Sequence, residues 1–280
     1  MSRTVPTLPY TVNCSLVFTE LPLLQRPAAA RAAGFEAVEF WWPFERAVPA
    51  DSEVDAFVAA VTDAGVRLTG LNLFAGRLPG PDRGVLSHPD RVQEVRDNLE
   101  VVAAIAERTG TTMFNALYGL RLAGVDPAEQ DETALLNTVT AAKALGRVGG
   151  TVLIEPLSGA EDYPLLTAAD GAAFVDRARA AGAPNVALLA DLYHLAVNGD
   201  DVAAVVRDRA AELGHIQIAD APGRGEPGTG DLPLLDLLAT AQAGGYTGHV
   251  GLEYQPSGAS ADSFGWLGRC APRPALPNRS

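Results

Sequence analysis

Two hydrophobic rhythms take turns along this chain. Short runs that are wholly apolar, or alternate apolar with polar, read as strands: positions 10–18, 37–41, 66–73, 111–116, 151–155, 185–191, 215–220 and 249–254. Between them lie longer stretches whose apolar residues recur every three or four positions, the spacing of a one-sided helix: 23–33, 54–64, 89–108, 127–148, 167–181, 202–213 and 232–243, with a short helix at 260–268. The punctuation agrees with these limits. Gly34, Gly65 and Gly110 follow helical stretches as C-terminal stops, Pro89 and Pro127 open others, and Asp231 is a candidate cap for the helix from 232.

Strand and helix therefore alternate eight times at about 35 residues per unit, the length divided by eight. Such alternation implies a parallel sheet, and eight units close it. The predicted fold is α/β, a single (β/α)8 TIM barrel over 1–270 with a disordered tail at 271–280. An open, doubly wound sheet is the rival architecture. It would ordinarily carry a glycine fingerprint after its first strand, where this chain has Thr19-Glu20-Leu21-Pro22.

In a barrel, the residues that leave the C-terminal ends of the strands carry the chemistry. The last polar residues of the final four strands are Glu155 in TVLIEP, Asp191 in VALLAD, Gln217 in HIQIAD and Glu253 in HVGLEY. Taken singly, each reads as a cap or a satisfied polar group. Together they sit at separations of 36, 26 and 36 residues, close to one unit each. Three carboxylates gathered in one mouth need neutralising. A divalent cation does this directly, and an all-oxygen donor set suits Mg2+ or Mn2+ better than Zn2+.

Around this set stand candidate substrate contacts. His194 lies three residues past Asp191, and Arg224 occupies the Gly/Pro-rich loop after strand seven, a place where a cation would meet a carboxylated substrate. Asn72 and Asn115 end strands three and four with amides able to bond a hydroxyl, and Trp41 belongs to the aromatic wall Phe40, Trp41, Trp42. The loop holding Asp82-Arg83-Gly84 is a further segment able to cover the site.

Composition narrows the function classes. With 48% hydrophobic residues, 280 residues suffice for one large core. A net charge of −13 argues against non-specific binding to nucleic acid, which needs clustered cations. Lys143 is the sole lysine and falls within a helix, which removes a Schiff-base lysine at a strand end. Cys14 and Cys270 are too far apart for a metal motif. No apolar run reaches about 18 residues, and no basic-then-apolar leader is present, so a cytoplasmic enzyme without membrane contact is expected. Barrels of this kind often pair through loops, and the run 40–44 is a candidate contact for a homo-oligomer.

On the segments LIEPLSG (153–159), DLYH (191–194), GHIQIADAPGRGEPGTG (214–230) and GLEYQP (251–256), the chain resembles the hydroxypyruvate isomerases of the xylose-isomerase-like barrel superfamily. The likeness runs over roughly 12–256. It implies that Glu155 and Glu253 are the acid/base pair and that Glu155, Asp191, Gln217 and Glu253 are metal ligands. Related sugar epimerases carry histidine where this chain has Gln217. The implied reaction interconverts hydroxypyruvate and 2-hydroxy-3-oxopropanoate (tartronate semialdehyde) through an enediolate, so the expected partner is a small hydroxy-oxo acid. A 2-oxo-tetronate isomerase or a keto-sugar 3-epimerase would use the same site. A non-catalytic sugar-acid-binding protein and a DNA-repair endonuclease are more distant readings; the latter needs many histidines and a basic groove, against four histidines and a charge of −13 here.

Overall fold

The computed structural model describes residues 6–78 and 80–269. Eight parallel strands close on one another in chain order: β1 (Tyr10–Asn13), β2 (Ala37–Phe40), β3 (Arg67–Asn72), β4 (Met113–Asn115), β5 (Thr151–Ile154), β6 (Val186–Asp191), β7 (Leu213–Ile218) and β8 (Val250–Leu252). Around them run α1 (Arg26–Ala32), α2 (Asp51–Asp63), α3 (Val92–Thr109), α4 (Pro127–Gly146), α5 (Ala168–Ala180), α6 (Leu192–Val197), α7 (Val202–Asp208) and α8 (Leu234–Ala243). This is the (β/α)8 barrel the alternation predicts.

Side-chain parity separates the two cores. Successive residues of a strand face opposite sides. Val186, Leu188 and Ala190 of β6 join the large cluster shared with the helices, while Ala187 and Leu189 pack with Leu153 and Met113 in a second, smaller cluster inside the barrel. Asp191 continues the inward parity, as Glu155 does after Leu153. The strand-end acids are thus the top of the barrel's interior stack, the position a TIM barrel assigns to chemistry.

Helix ends follow the local chemistry. Asp126 caps α4 by accepting from the Ala128 amide at 2.9 Å, Thr167 and Asp170 form a reciprocal capping box on α5, and α3 stops at Gly110, whose φ of 73° suits glycine.

Several limits differ from the sequence expectation. The first strand stops at Asn13, because its carbonyl accepts from the Leu16 and Val17 amides and turns the chain. The helix expected over 202–213 ends at Asp208; a 3-10 turn follows at Ala210–Glu212, and Leu213 already pairs with Leu188 as β7. Asp231 does not cap α8. Asp220 instead accepts from the Leu232 amide, and the helix starts after Pro233. Of the aromatic run at 40–44, Phe40 is buried edge-on against Phe57, Phe44 packs on Phe57 and Trp42, and residues 41–44 are half-buried. Cys14 is free and buried; Cys270 and the tail at 271–280 lie outside the described residues. Among the described residues, no helix is long and apolar enough to cross a membrane.

Candidate active site

Strand register sets the polar residues side by side in pairs near the strand ends. Asn13 lies opposite Glu39, Asn72 opposite Asn115 and Asp191 opposite Gln217. The neighbours of Glu39 on β3 and of Gln217 on β8 are glycines, Gly70 and Gly251, and a methyl at either would press on the Glu39 side chain. Glu155 and Glu253 follow β5 and β8 directly. Asp191, Glu155, Gln217 and Glu253 are all buried, yet Glu155 and Glu253 line a cavity of about 430 Å³ together with Trp41, Asn72, His194 and Arg224.

The structure brings Glu155, Asp191 and His194 closest: one ligand atom of each lies within 4.8 Å of the others. Asp191 Oδ1 accepts from the Tyr193 and His194 amides, so the strand-end acid also starts the short helix α6 and fixes where His194 stands. Ser158 donates its backbone N–H to His194 Nδ1 at 3.1 Å. An N–H donor requires a bare lone pair on Nδ1, so the neutral ring carries its proton on Nε2, 3.6 Å from Asp191 Oδ2. In that tautomer His194 is a hydrogen-bond donor toward the cavity and a poor metal ligand. Burial holds its pKa down to about 4 against the attraction of Asp191, which keeps it neutral.

Glu253 is held from three sides. Asn13 donates to its Oε2 at 2.8 Å, while Arg224 Nη2 at 2.7 Å and Trp41 Nε1 at 3.3 Å donate to its Oε1. Arg224 also reaches within 3.6 Å of Asp191 Oδ2 and lies over the Tyr193 ring. Its backbone, at φ 57°, adopts the left-handed conformation that a non-glycine residue keeps only under constraint. Glu155 is held more loosely, with Asn115 donating to Oε2 at 2.6 Å.

Four buried acceptor oxygens at the mouth have no hydrogen-bond partner: Asn115 Oδ1, Glu155 Oε1, Asp191 Oδ2 and Gln217 Oε1. Orphaned buried acceptors beside acids carry a high desolvation penalty that only a donor, a proton or a cation relieves. Protons are one answer. Burial, reinforced by Asp191, pushes the Glu155 carboxyl up to about 8, and burial raises Glu253 well above the ordinary carboxylate range against the pull of Arg224. A divalent cation is the other, and three open oxygens from two carboxylates and an amide fit a hard ion such as Mg2+ or Mn2+. Glu253 differs, since both its oxygens already have donors.

Glu39 and Asn13 are site residues that the strand-end reading passed over. Glu39 Oε1 accepts from Gln217 Nε2 at 2.8 Å and from Asn13 Nδ2 at 3.2 Å, while its Oε2 is 2.8 Å from His215 Nε2. Because Gln217 gives its amide N–H to Glu39, its carbonyl oxygen is the end left at the mouth. Asn13 ends β1 as Asn72 and Asn115 end β3 and β4, whereas Glu39 stands one residue short of the end of β2, opposite Gly70.

A family model described as xylose isomerase-like TIM barrel matches residues 27–270. A Streptomyces coelicolor protein named "Putative hydroxypyruvate isomerase" is 55% identical, with 92% of this chain and 95% of that protein aligned. The 2-oxo-tetronate isomerase of Cupriavidus necator is 34% identical over 92% of this chain and 96% of its own length. Among solved structures, a Brucella melitensis protein described as AP endonuclease, family 2, superposes with a TM-score of 0.85 at 29% identity, covering 94% of this chain and 99% of that one.

Proposed function

The chain belongs to the hydroxypyruvate isomerase family of xylose isomerase-like TIM barrels, and from that premise we propose that it interconverts hydroxypyruvate and 2-hydroxy-3-oxopropanoate. The observation that carries this reading is the pair of buried glutamates, Glu155 and Glu253, facing one cavity, where burial pushes both carboxyls above their ordinary range. Carboxyls tuned upward exchange protons with carbon acids near neutral pH, which an ordinary glutamate does poorly. One glutamate takes a proton from C3 of hydroxypyruvate, giving an enediolate; the other delivers a proton to C2 as the C3 hydroxyl proton passes to the C2 oxygen, which leaves C3 as the aldehyde. His194, held neutral with its Nε2–H outward, donates a hydrogen bond to a substrate oxygen, and Asn72 can bond a hydroxyl. Trp41 closes the wall beside Glu253 and keeps water from it.

Glu155, Asp191 and Gln217 would hold a divalent ion through their open oxygens. Glu253, the fourth ligand the family resemblance implies, would join them only on giving up its bond from Arg224. When bound, such an ion supplies positive charge that polarises the substrate carbonyl and stabilises the developing enediolate.

The cavity also leaves room for a substrate one carbon longer, and the Cupriavidus relative carries that name, so 2-oxo-tetronate is the second candidate. Nucleic-acid cleavage, which the description of the Brucella protein evokes, fits poorly. Three carboxylates at the mouth and a net charge of −13 repel a phosphate backbone.

The test is a proton NMR time course in D2O with metal-stripped protein and hydroxypyruvate, followed by addition of Mg2+ or Mn2+. Deuterium entering C3 with appearance of the aldehyde only after the ion is added supports the reading in full. No exchange with either ion rules out hydroxypyruvate and moves the trial to 2-oxo-tetronate. Exchange without any ion keeps the glutamates and removes the metal.

A further inference from the structure

Two guanidinium groups line the cavity, Arg224 and Arg83. Their situations differ. Arg224 is paired at 2.7 Å with Glu253 and at 3.6 Å with Asp191, so its charge is matched within the protein. Arg83 makes no ion pair among the described residues. Its Nη1 donates to the carbonyls of Gly80 at 2.6 Å and Asp82 at 2.7 Å, which leaves Nε and Nη2, three of the five N–H donors of the fork, without a partner there. The neighbouring acid does not neutralise it: Asp82 accepts from the Arg77 amide and faces Arg91 at 3.8 Å.

The backbone of Arg83 is clamped. Its carbonyl accepts from the Gly119 amide at 3.1 Å, and the next residue, Gly84, donates to Ala75 at 3.0 Å and bridges Tyr118. Gly84 has φ 105° and packs so closely on the Leu117 carbonyl that a methyl there would lie 2.1 Å from its oxygen. A charged fork on an anchored loop is ready to meet an anion without an ordering cost.

We propose that Arg83 binds the substrate carboxylate. This rests on the acid-isomerase reading and adds the orientation to it. The carboxylate end lies at Arg83, away from Glu155, Asp191 and Glu253 that would repel it, and the carbon acid end lies among those residues. Arg83 thereby selects hydroxy-oxo acids over neutral ketoses, which gain nothing from a free cation.

The experiment titrates tartronate, a hydroxy-dicarboxylate that cannot isomerise, into the metal-loaded full-length protein by calorimetry. Wild type, Arg83→Met and Arg83→Lys are compared, alongside steady-state kinetics with hydroxypyruvate. Loss of a charged fork weakens an anion by about 30-fold. The expected result is that loss for Arg83→Met, a smaller one for Arg83→Lys, and a rise in KM that exceeds any fall in kcat. Equal tartronate affinity in wild type and Arg83→Met overturns the proposal, as does a wild type that does not bind tartronate. A variant that lowers kcat with KM unchanged also overturns it, because Arg83 would then be supporting the loop alone. If tartronate binding depends on Arg83 while wild type leaves hydroxypyruvate untouched, the anion site stands and the choice of substrate fails.

Discussion

Gly251 is the most sensitive small residue beneath the site. It is the β8 neighbour of Gln217, and a methyl at its Cα would lie 2.5 Å from Glu39 Oε1 and 2.7 Å from Gln217 Cγ. Ordinary contact distances begin near 3.4 Å, so Gly251→Ala requires Glu39 Oε1 to retreat by about 0.9 Å and Gln217 Cγ by about 0.7 Å. Neither can do so freely. Glu39 Oε1 holds two donors, Gln217 at 2.8 Å and Asn13 at 3.2 Å, and its other oxygen is tied to His215. Overpacking a filled interior costs about 1–3 kcal/mol, and a charged hydrogen bond lost in the process adds about 1.5–3 kcal/mol. The variant should therefore lose about 3–5 kcal/mol in a urea or thermal unfolding experiment, a fall in Tm of about 10 °C. The displaced Gln217 should also weaken Mn2+ binding, read as free Mn2+ by electron paramagnetic resonance, by about tenfold. Gly258→Ala is the control, since a methyl there meets nothing within 4 Å. A Gly251→Ala protein that melts with Gly258→Ala and binds Mn2+ as wild type does would refute the claim that this network positions Gln217.

Glu155→Gln and Glu253→Gln should each lower hydroxypyruvate turnover by about 10³-fold while leaving the fold intact, because each removes a proton carrier from the barrel top; turnover within tenfold of wild type would remove that residue from the acid/base pair. Between pH 6.5 and 8 the metal-free protein should lose stability as pH rises. Folded Glu155 keeps its proton up to about 8 whereas the unfolded glutamate has released it, and Glu253 acts with the same sign. Each retained proton contributes a slope approaching 1.4 kcal/mol per pH unit, roughly. Below about 6.5 the neutral burial of His194 opposes this: its folded pKa of about 4 makes a contribution that is full above its ordinary value and is lost as pH falls toward 4. Melting curves across pH 4–9 check both arms, and a flat profile from 6.5 to 8 would contradict the raised carboxyls. Added Mn2+ should reverse the upper slope, because it binds the ionised acids that high pH supplies.

The barrel was legible because its strands are apolar on the helix side regardless of what they carry inside. Val186, Leu188 and Ala190 announce β6 whether or not Asp191 follows. The strand-end residues of β5–β8 stood out since each closes an apolar run and heads into a polar loop. Glu39 was masked by the opposite context: it sits between Val38 and Phe40 and is followed by two tryptophans, so an inward acid reads as a break in a hydrophobic run. Helix α6 was missed for a different reason. Six residues, LYHLAV, are too few to display a helical period, and its start depends on Asp191 capping two amides, a contact visible only in three dimensions. The pairing of Arg224 with Glu253 joins two loops 29 residues apart, and nothing local in either announces it.

The same geometry explains why an amide suits position 217. Carboxylate oxygens accept, so the 2.8 Å contact of Glu39 with His215 makes His215 Nε2 the donor, and the contact with Gln217 makes Nε2 of the amide the donor. A glutamate at 217 would set two carboxylate oxygens against each other at hydrogen-bond distance in the interior, a repulsion that only a trapped proton relieves. An aliphatic residue would leave Glu39 with one donor fewer and the mouth with one acceptor fewer. The amide offers a donor to the acid below and an oxygen acceptor to the cavity above. Its orientation is then fixed from beneath, by His215 and Asn13 holding Glu39, without any contact on the cavity side. The open oxygen of Gln217 is therefore set before any ligand arrives. On this reasoning Glu39→Gln, which can present either end of its own amide, should blur that orientation. Weaker Mn2+ binding with little change in Tm is the outcome expected, and an unchanged Mn2+ affinity would show that Gln217 needs no such support.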